Sequence, residues 1–347
     1  MFVPVAIENL RSGNYAEFKP LLRLVMLFVL AGVLGNIIFS LLTTDRTILD
    51  SLNSFKPLYM LLAAALALVP WVTNTTRVMI WTRFLGHRLS FVDILKITIS
   101  TDIGSAISPT AIGGGYVKAG MLMQRGLTIG EATSLMTLGS VENALFFLCA
   151  LPTAVYLSKC WDLPVIRQVF ERLKQNILIL MLVFLIVVCV AILYRFIRRI
   201  KSAQDVKRGA WSRFREKLDK ALVDFVTVYK LIGKNGKARF SLSMMLTAIQ
   251  WISRYSILTT MLWSFGIKVS PVLVFLLQWV TFTLMNFVPT PGATAGAEAS
   301  FYLVYAGLIP KEMLGLMTAG WRFLTFYFSI LLGTVFFTVY LIRDLTE

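Results

Sequence analysis

An all-α, polytopic membrane helix bundle is the fold this sequence predicts, with two inverted repeats that each contain a re-entrant broken-helix hairpin. Three observations predict it. Of 347 residues, 57% are hydrophobic and 15% charged, against roughly a quarter charged in soluble domains. The apolar residues fall in blocks such as Leu21–Leu42, Leu58–Val69 and Ile177–Leu193, and about 20 helical residues cross a hydrocarbon layer of about 30 Å. Two more apolar stretches are each interrupted by Pro and Gly with shared punctuation.

Six segments read as full spans within a single integral membrane domain: about 21–42, 57–82, 132–157, 176–196, 240–263 and 312–342. The broken regions lie between them, at about 91–127 and 271–308. Repeat one covers about 91–157 and repeat two about 271–342. The loop from Arg195 to Arg239 is crowded with Arg and Lys and has few acids, so it is expected in the cytoplasm. Parity then places both termini and an Arg77–Lys96 loop in the cytoplasm as well, the protein lying in the cell membrane. Within the basic segment 197–239, Trp211, Phe214, Leu218, Leu222, Phe225, Tyr229 and Ile232 recur every three or four residues and define one apolar helix face. That face suits the inner leaflet or the bundle; a solvated connector with a packed face fits equally.

A net charge of +16 would suggest nucleic acid in a soluble protein. Here the cytoplasmic loops account for it by attracting anionic headgroups, and nucleic acid is not expected as a partner. Cys149, Cys160 and Cys189 show no CxxC spacing, and the lone His87 sits in a basic loop. No metal, cofactor or disulfide framework is expected. No cleavable signal is expected either, because the first apolar block is too long and Leu42-Thr43-Thr44-Asp45 is not a small-residue cleavage site.

The repeat rests on punctuation. Pro109-Thr110, Gly126-Leu127, Glu131 and Leu135-Met136-Thr137-Leu138-Gly139 are answered by Pro289-Thr290, Gly307-Leu308, Glu312 and Leu316-Met317-Thr318-Ala319-Gly320. By parity the first hairpin opens from the cytoplasm and the second from outside. Such inverted repeats place a substrate site near the midplane, where irregular backbone survives only if protein or water covers it. Pro109, Pro289 and Pro291 lack an amide donor, and Gly113-Gly114-Gly115 and Gly292 can turn sharply. The free amides of a new helix start would favour an anion; a tight turn for close helix packing is the alternative.

Charges inside spans mark pathways or paired networks. Lys118 follows Pro109 by nine residues and Glu298 follows Pro289 by nine, so the two are expected to face each other across a central cavity. Glu142 and Arg322 follow the two Leu-Met-Thr motifs, one position apart in register. Thr98, Thr101 or Asp102, Ser105 and Ser108 share one polar stripe. Arg254 lies on another with Thr247 and Gln250, and Gln278, Thr281 and Asn286 form a third. These stripes read either as a hydrophilic cavity or as interhelical hydrogen bonding. No HExxH, GxSxG, P-loop or loop-borne acidic pair is present, so an enzyme is not expected.

Pro289-Thr290-Pro291-Gly292, followed by Gly296 and Glu298, resembles the signature of the lysylphosphatidylglycerol synthase transmembrane family, also called flippase-like membrane proteins. Ser108-Pro109, Gly113-Gly114-Gly115 and Lys118 resemble its first-half motif. The resemblance runs over about 20–342. It implies translocation of a lipid, best known for aminoacylated phosphatidylglycerol, between leaflets. Family synthases carry a soluble aminoacyltransferase domain after the membrane part, and none is read here. Glu142-Asn143 departs from the Glu-Arg pair common among relatives, which implies a missing ion pair and a different headgroup preference.

The function expected is that of a lipid flippase-like transporter. Lys118 and the hairpin amides would hold phosphate. Glu298, Glu142 or Asp102 would meet a cationic substituent, and Arg322 and Arg254 would balance the acids. Membrane lipids with anionic headgroups are the expected partners, and a soluble transferase or a second copy of the chain is compatible with the sequence. Two other readings stand: a non-catalytic subunit presenting lipid to a separate aminoacyl- or glycosyltransferase, and a secondary transporter of a small solute.

Overall fold

The computed structural model describes residues 55–108, 112–159, 226–285 and 295–344, together with Val223, Phe287, Val288, Gly292 and Ala293. All regular secondary structure among these residues is helical. Pro109, Pro289, Pro291 and Asn286 lie outside the described residues, as do the spans read at 21–42 and 176–196 and most of the basic loop.

The first half begins with α1, Pro57–Phe84, whose proline at the first position loses no hydrogen bond there. It ends at Gly86, where φ is +91° and the His87 amide donates to the Thr82 carbonyl at 2.9 Å; only glycine adopts this left-handed closure without cost. The hairpin follows as α2, Phe91–Ile107, capped by Ser90, and α3, Ile112–Gln124. Next comes α4, Ile129–Ser158, opened by a capping box between Thr128 and Glu131. The second half repeats the order: α5, Lys237–Ser264; α6, Pro271–Met285; α7, Gly296–Tyr305; and α8, Lys311–Arg322. A π-helical turn over Phe323–Tyr327 leads from α8 into α9, Phe328–Asp344.

The punctuation between α1 and α2 recurs between α5 and α6. Gly266 has φ +74° and the Ile267 amide donates to the Leu262 carbonyl at 3.0 Å, matching the closure at Gly86. Ser90 and Ser270 each accept from the amide four residues on. Helix pairing is duplicated too: α1 packs on α2 as α5 does on α6, α2 on α3 as α6 on α7, α3 on α4 as α7 on α8, and α4 on α6 as α9 on α2. The two leading helices make the most extensive contact with each other. They run antiparallel: the Lys56 amide, at the start of α1, donates to the Ser264 carbonyl at the end of α5 at 2.7 Å, while Trp81 near the end of α1 donates to Ser243 near the start of α5 at 3.1 Å.

The bundle holds two hydrophobic cores, the second of which also takes in Ala63 and Ala67 of α1. Val78, Trp81, Ile94, Ile97, Leu122 and Leu138 fill the first; Leu258, Met261, Phe301, Met317 and Trp321 fill the second. Leu58, Leu148, Tyr156 and Leu303 stand at least 70% exposed, a pattern that costs heavily in water and nothing in lipid. Among the described residues α1, α4 and the α8–α9 column are long and apolar enough to cross a membrane. Although 28 residues long, α5 carries Lys237, Arg239 and Arg254 and is not in that apolar class. Much of it is covered by protein, so its surface need not be lipid-soluble.

One sequence reading needs correction. The Arg77–Lys96 segment is not a loop: α1 runs on to Phe84 and α2 starts at Phe91, so Arg77 lies two turns inside a helix and is 5% exposed. The apolar face expected in the basic segment is described only at its end. There 226–235 is helical, and Val228 and Ile232 are buried in the first core, the bundle side of the two placements the sequence offers. The Tyr229 hydroxyl donates to Thr137 at 3.1 Å.

Candidate functional site

Two cavities hold the charges of the helix interior. The smaller, about 180 Å³, is lined by Asn74, Arg77, Lys118, Glu142, Asn143 and Gln250 among others. Arg77 of α1 forms a buried ion pair with Glu142 of α4, its Nε donating to Glu142 Oε2 at 3.0 Å and its Nη1 to Gln250 Oε1 at 3.1 Å. Trp81 Nε1 donates to Glu142 Oε1 at 3.2 Å. A carboxylate 1% exposed needs such donors around it, because a buried polar group left without partners is costly. The ion pair inferred to be missing beside Asn143 is therefore present, supplied by Arg77 from another helix. Asn143 instead accepts from Trp251 at 3.0 Å.

The larger cavity, about 260 Å³, lies between α1, α2, α5, α6 and the π turn, with Asp102, Arg254 and Arg322 in its lining. Arg322 sits 3.2 Å from Glu298 Oε1 through its Nε and donates from Nη2 to the Gly292 carbonyl at 2.8 Å. Its guanidinium lies 4.6 Å from the centroid of Phe326, a favourable cation–π distance. Gly292 is required for this arrangement: φ is +61°, and a Cβ there would stand 2.4 Å from the Phe326 ring. Asp102 accepts from Trp71 Nε1 at 2.8 Å. Arg254 lies 5.3 Å from the Phe282 centroid; its buried Nε has no hydrogen-bond partner, nor does it reach ion-pair distance of a carboxylate among the described residues.

Lys118 and Glu298 do not share a cavity. Lys118 lines the smaller cavity with Arg77 and Glu142, whereas Glu298 pairs with Arg322. The triple glycine belongs to α3, and close packing is what it serves. A Cβ on Gly114 would lie 1.9 Å from Ser105 Oγ and 2.5 Å from the Thr101 carbonyl, and the Gly113 amide donates to Ser108 Oγ at 2.9 Å. Much of the polar striping is structural as well. Thr75 and Thr98 bond each other at 3.2 Å, and Gln278 joins Tyr305 and Trp321 at 2.9 and 3.1 Å.

The sequence reading missed Arg77, Trp71 and Trp81. The available signal was helical continuity: nothing between Pro70 and Phe84 breaks α1, so Arg77 belongs to the span. Among the described residues no group of three or more His, Cys, Asp and Glu side chains could hold a metal ion.

Residues 21–333 match the family model of the lysylphosphatidylglycerol synthase transmembrane region. The chain belongs to that family. It is also similar to a UPF0104 membrane protein of Archaeoglobus fulgidus, with 22% identity over 300 residues, covering 83% of this chain and 88% of the relative. The match takes in both cavities and the charged pair of each half, so they lie within the family's shared membrane region.

Proposed function

We propose that this member of the family is a lipid flippase-like transporter that moves a phospholipid or lipid-linked headgroup between leaflets, with its acyl chains left in the bilayer. The observation that carries this reading is the pair of charged cavities among lipid-exposed helices. The smaller is lined by the Arg77–Glu142 pair and Lys118, and the larger by Asp102, Arg254 and Arg322, the last paired with Glu298. Buried charge in a membrane protein costs several kcal/mol per ion unless it is matched, and a route for a charged headgroup is the function that repays it.

The duplicated pairing of helices and the antiparallel packing of α1 on α5 support two halves of opposite orientation; the basic segment between Arg195 and Arg239 is what favours the cell membrane with both termini cytoplasmic. Rocking of one half against the other would expose the cavities in turn. The π turn beside Arg322 is a natural place for such movement, since π turns locally loosen the helical ladder. The match to the membrane region of a synthase also favours a second reading, a membrane subunit that presents lipid to a separate transferase.

Photo-crosslinking tests the lipid reading. A phospholipid carrying a photoreactive headgroup is expected to label peptides that line the cavities, around Ser140 and Ser329, and to lose that labelling in Lys118→Ala and Arg254→Gln. Labelling confined to outward positions such as Leu58 and Leu148, unchanged in both variants, would contradict it.

A further inference from the structure

In the smaller cavity the acceptors are occupied and the donors are left over. Its wall includes Asn74, Arg77, Lys118, Glu142, Asn143 and Gln250. Arginine and tryptophan side chains only donate, so an amide bonded to either must turn its oxygen toward it. Arg77 Nη1 takes Gln250 Oε1 at 3.1 Å, and Trp251 Nε1 takes Asn143 Oδ1 at 3.0 Å. Both oxygens of Glu142 are in use, Oε2 by Arg77 and Oε1 by Trp81. Gln250 Nε2, Asn143 Nδ2 and Lys118 Nζ have no hydrogen-bond partner among the described residues, and each keeps accessible surface at the cavity. Nor does Lys118 form an ion pair among the described residues. The charged groups of the wall are Arg77 and Lys118 against Glu142, one cation in excess.

We infer that the smaller cavity is a binding site for a small monovalent inorganic anion of the chloride class, held by the Lys118 ammonium and the amide N–H groups of Gln250 and Asn143. The site goes beyond the lipid reading above and does not rest on it.

The chemistry selects the ligand. Left-over donors at the wall call for a ligand that accepts and does not donate. Water satisfies donors but brings no charge, whereas one monovalent anion also cancels the excess cation. A divalent anion would reverse the excess. The volume of about 180 Å³ admits such an ion together with a few waters. A lipid phosphate presents similar acceptor oxygens, so the experiment separates the two sources.

The test is the thermal midpoint of the intact protein in neutral detergent as sodium gluconate is replaced by sodium chloride at constant ionic strength. An ion that binds only the folded protein raises the midpoint saturably, and the wild type is expected to show that rise. Lys118→Gln should weaken the apparent chloride affinity at least about tenfold. Gln250→Glu is the sharper variant. It keeps an oxygen for Arg77 and replaces the left-over NH2 with anionic oxygen, so the site carries its own counter-charge. It should lose the chloride response and melt above the wild type in gluconate. Asn143→Asp, which likewise keeps an oxygen for Trp251, should also lose the response. An amide that served packing alone would leave the response unmoved.

A wild-type midpoint indifferent to chloride, or an equal chloride response in Gln250→Glu, would overturn the inference. So would a shift given by short-chain phosphatidylglycerol and not by chloride, and lost in Gln250→Glu, which would assign the donors to a lipid phosphate. If the variants fail to fold, bromide quenching of wild-type tryptophan fluorescence decides, because Trp81 and Trp251 bond to the cavity wall. A saturable component supports the site, and purely collisional quenching counts against it. Chloride binding by a protein that moves no lipid would support this inference while overturning the transport reading. Lipid transport by a protein with no chloride response would overturn this inference alone.

Discussion

Arg77 on α1 and Glu142 on α4 form a buried ion pair across 65 residues of sequence, and it ties the first span of the described bundle to the helix that follows the hairpin. Removing one partner strands the other's charge, and such breaks cost about 3–5 kcal/mol. Glu142→Gln and Arg77→Met are each expected to lower the thermal midpoint in detergent sharply. The double variant should recover part of the loss, because no uncompensated charge is left. Melting followed by fluorescence-detected size exclusion reads this; a double variant as unstable as the sum of the singles would count against the pair.

Gly292 is expected to tolerate no side chain. Gly292→Ala forces a Cβ into the left-handed region and to within 2.4 Å of the Phe326 ring, displacing the carbonyl that accepts from Arg322. Loss of at least about 2 kcal/mol of stability, or of folded protein, is expected. Gly292→Ala with Phe326→Leu should recover only part, since the φ strain remains. Full recovery would mean that the backbone conformation is unimportant.

The glycines of α3 separate into two kinds. Gly114→Ala meets Ser105 Oγ and the Thr101 carbonyl and should force the hairpin apart, at a cost of about 1–3 kcal/mol or more. Gly120→Ala meets nothing within 4 Å and should be neutral or stabilising by up to about 1 kcal/mol, since alanine loses less entropy in a helix. Paired melting curves check this, and equal effects at the two positions would contradict the packing role.

Opposite orientation of the halves has its own test in the repeated connections. Single cysteines at Ser90 and Ser270, both at the start of a hairpin, are expected to react with an impermeant maleimide from opposite sides of the membrane, Ser90→Cys from the cytoplasm. Labelling of both from the same side would refute inversion.

Much of this architecture was legible in hydropathy. The spans read at 57–82, 132–157, 240–263 and 312–342 became helices over 57–84, 129–158, 237–264 and 311–344, because long apolar blocks allow few alternatives. Both broken regions are interrupted, with α2 ending at Ile107 and α3 starting at Ile112, and α6 ending at Met285 and α7 starting at Gly296. The charged partners were not legible, since pairing depends on which helix faces which. Arg77 looked like part of the Arg83–Arg88 cluster until α1 proved to continue past it. Lys118 and Glu298 share a repeat position yet sit with different neighbours, because equivalent positions approach each other only when both face the interface between halves. The recurrence of Gly86–Ser90 in Gly266–Ser270 is legible in the sequence as a glycine followed four residues later by a serine in each half.

Leaflet-resolved transport tests the central claim most directly. Purified protein in liposomes is given labelled phosphatidylglycerol, its lysyl derivative or a polyprenyl-phosphate sugar, beside Lys118→Ala and Arg254→Gln. The account predicts accelerated exposure of an anionic lipid that falls to the protein-free rate in both variants. No acceleration for any of the three lipids by protein whose melting curve shows it folded would contradict it.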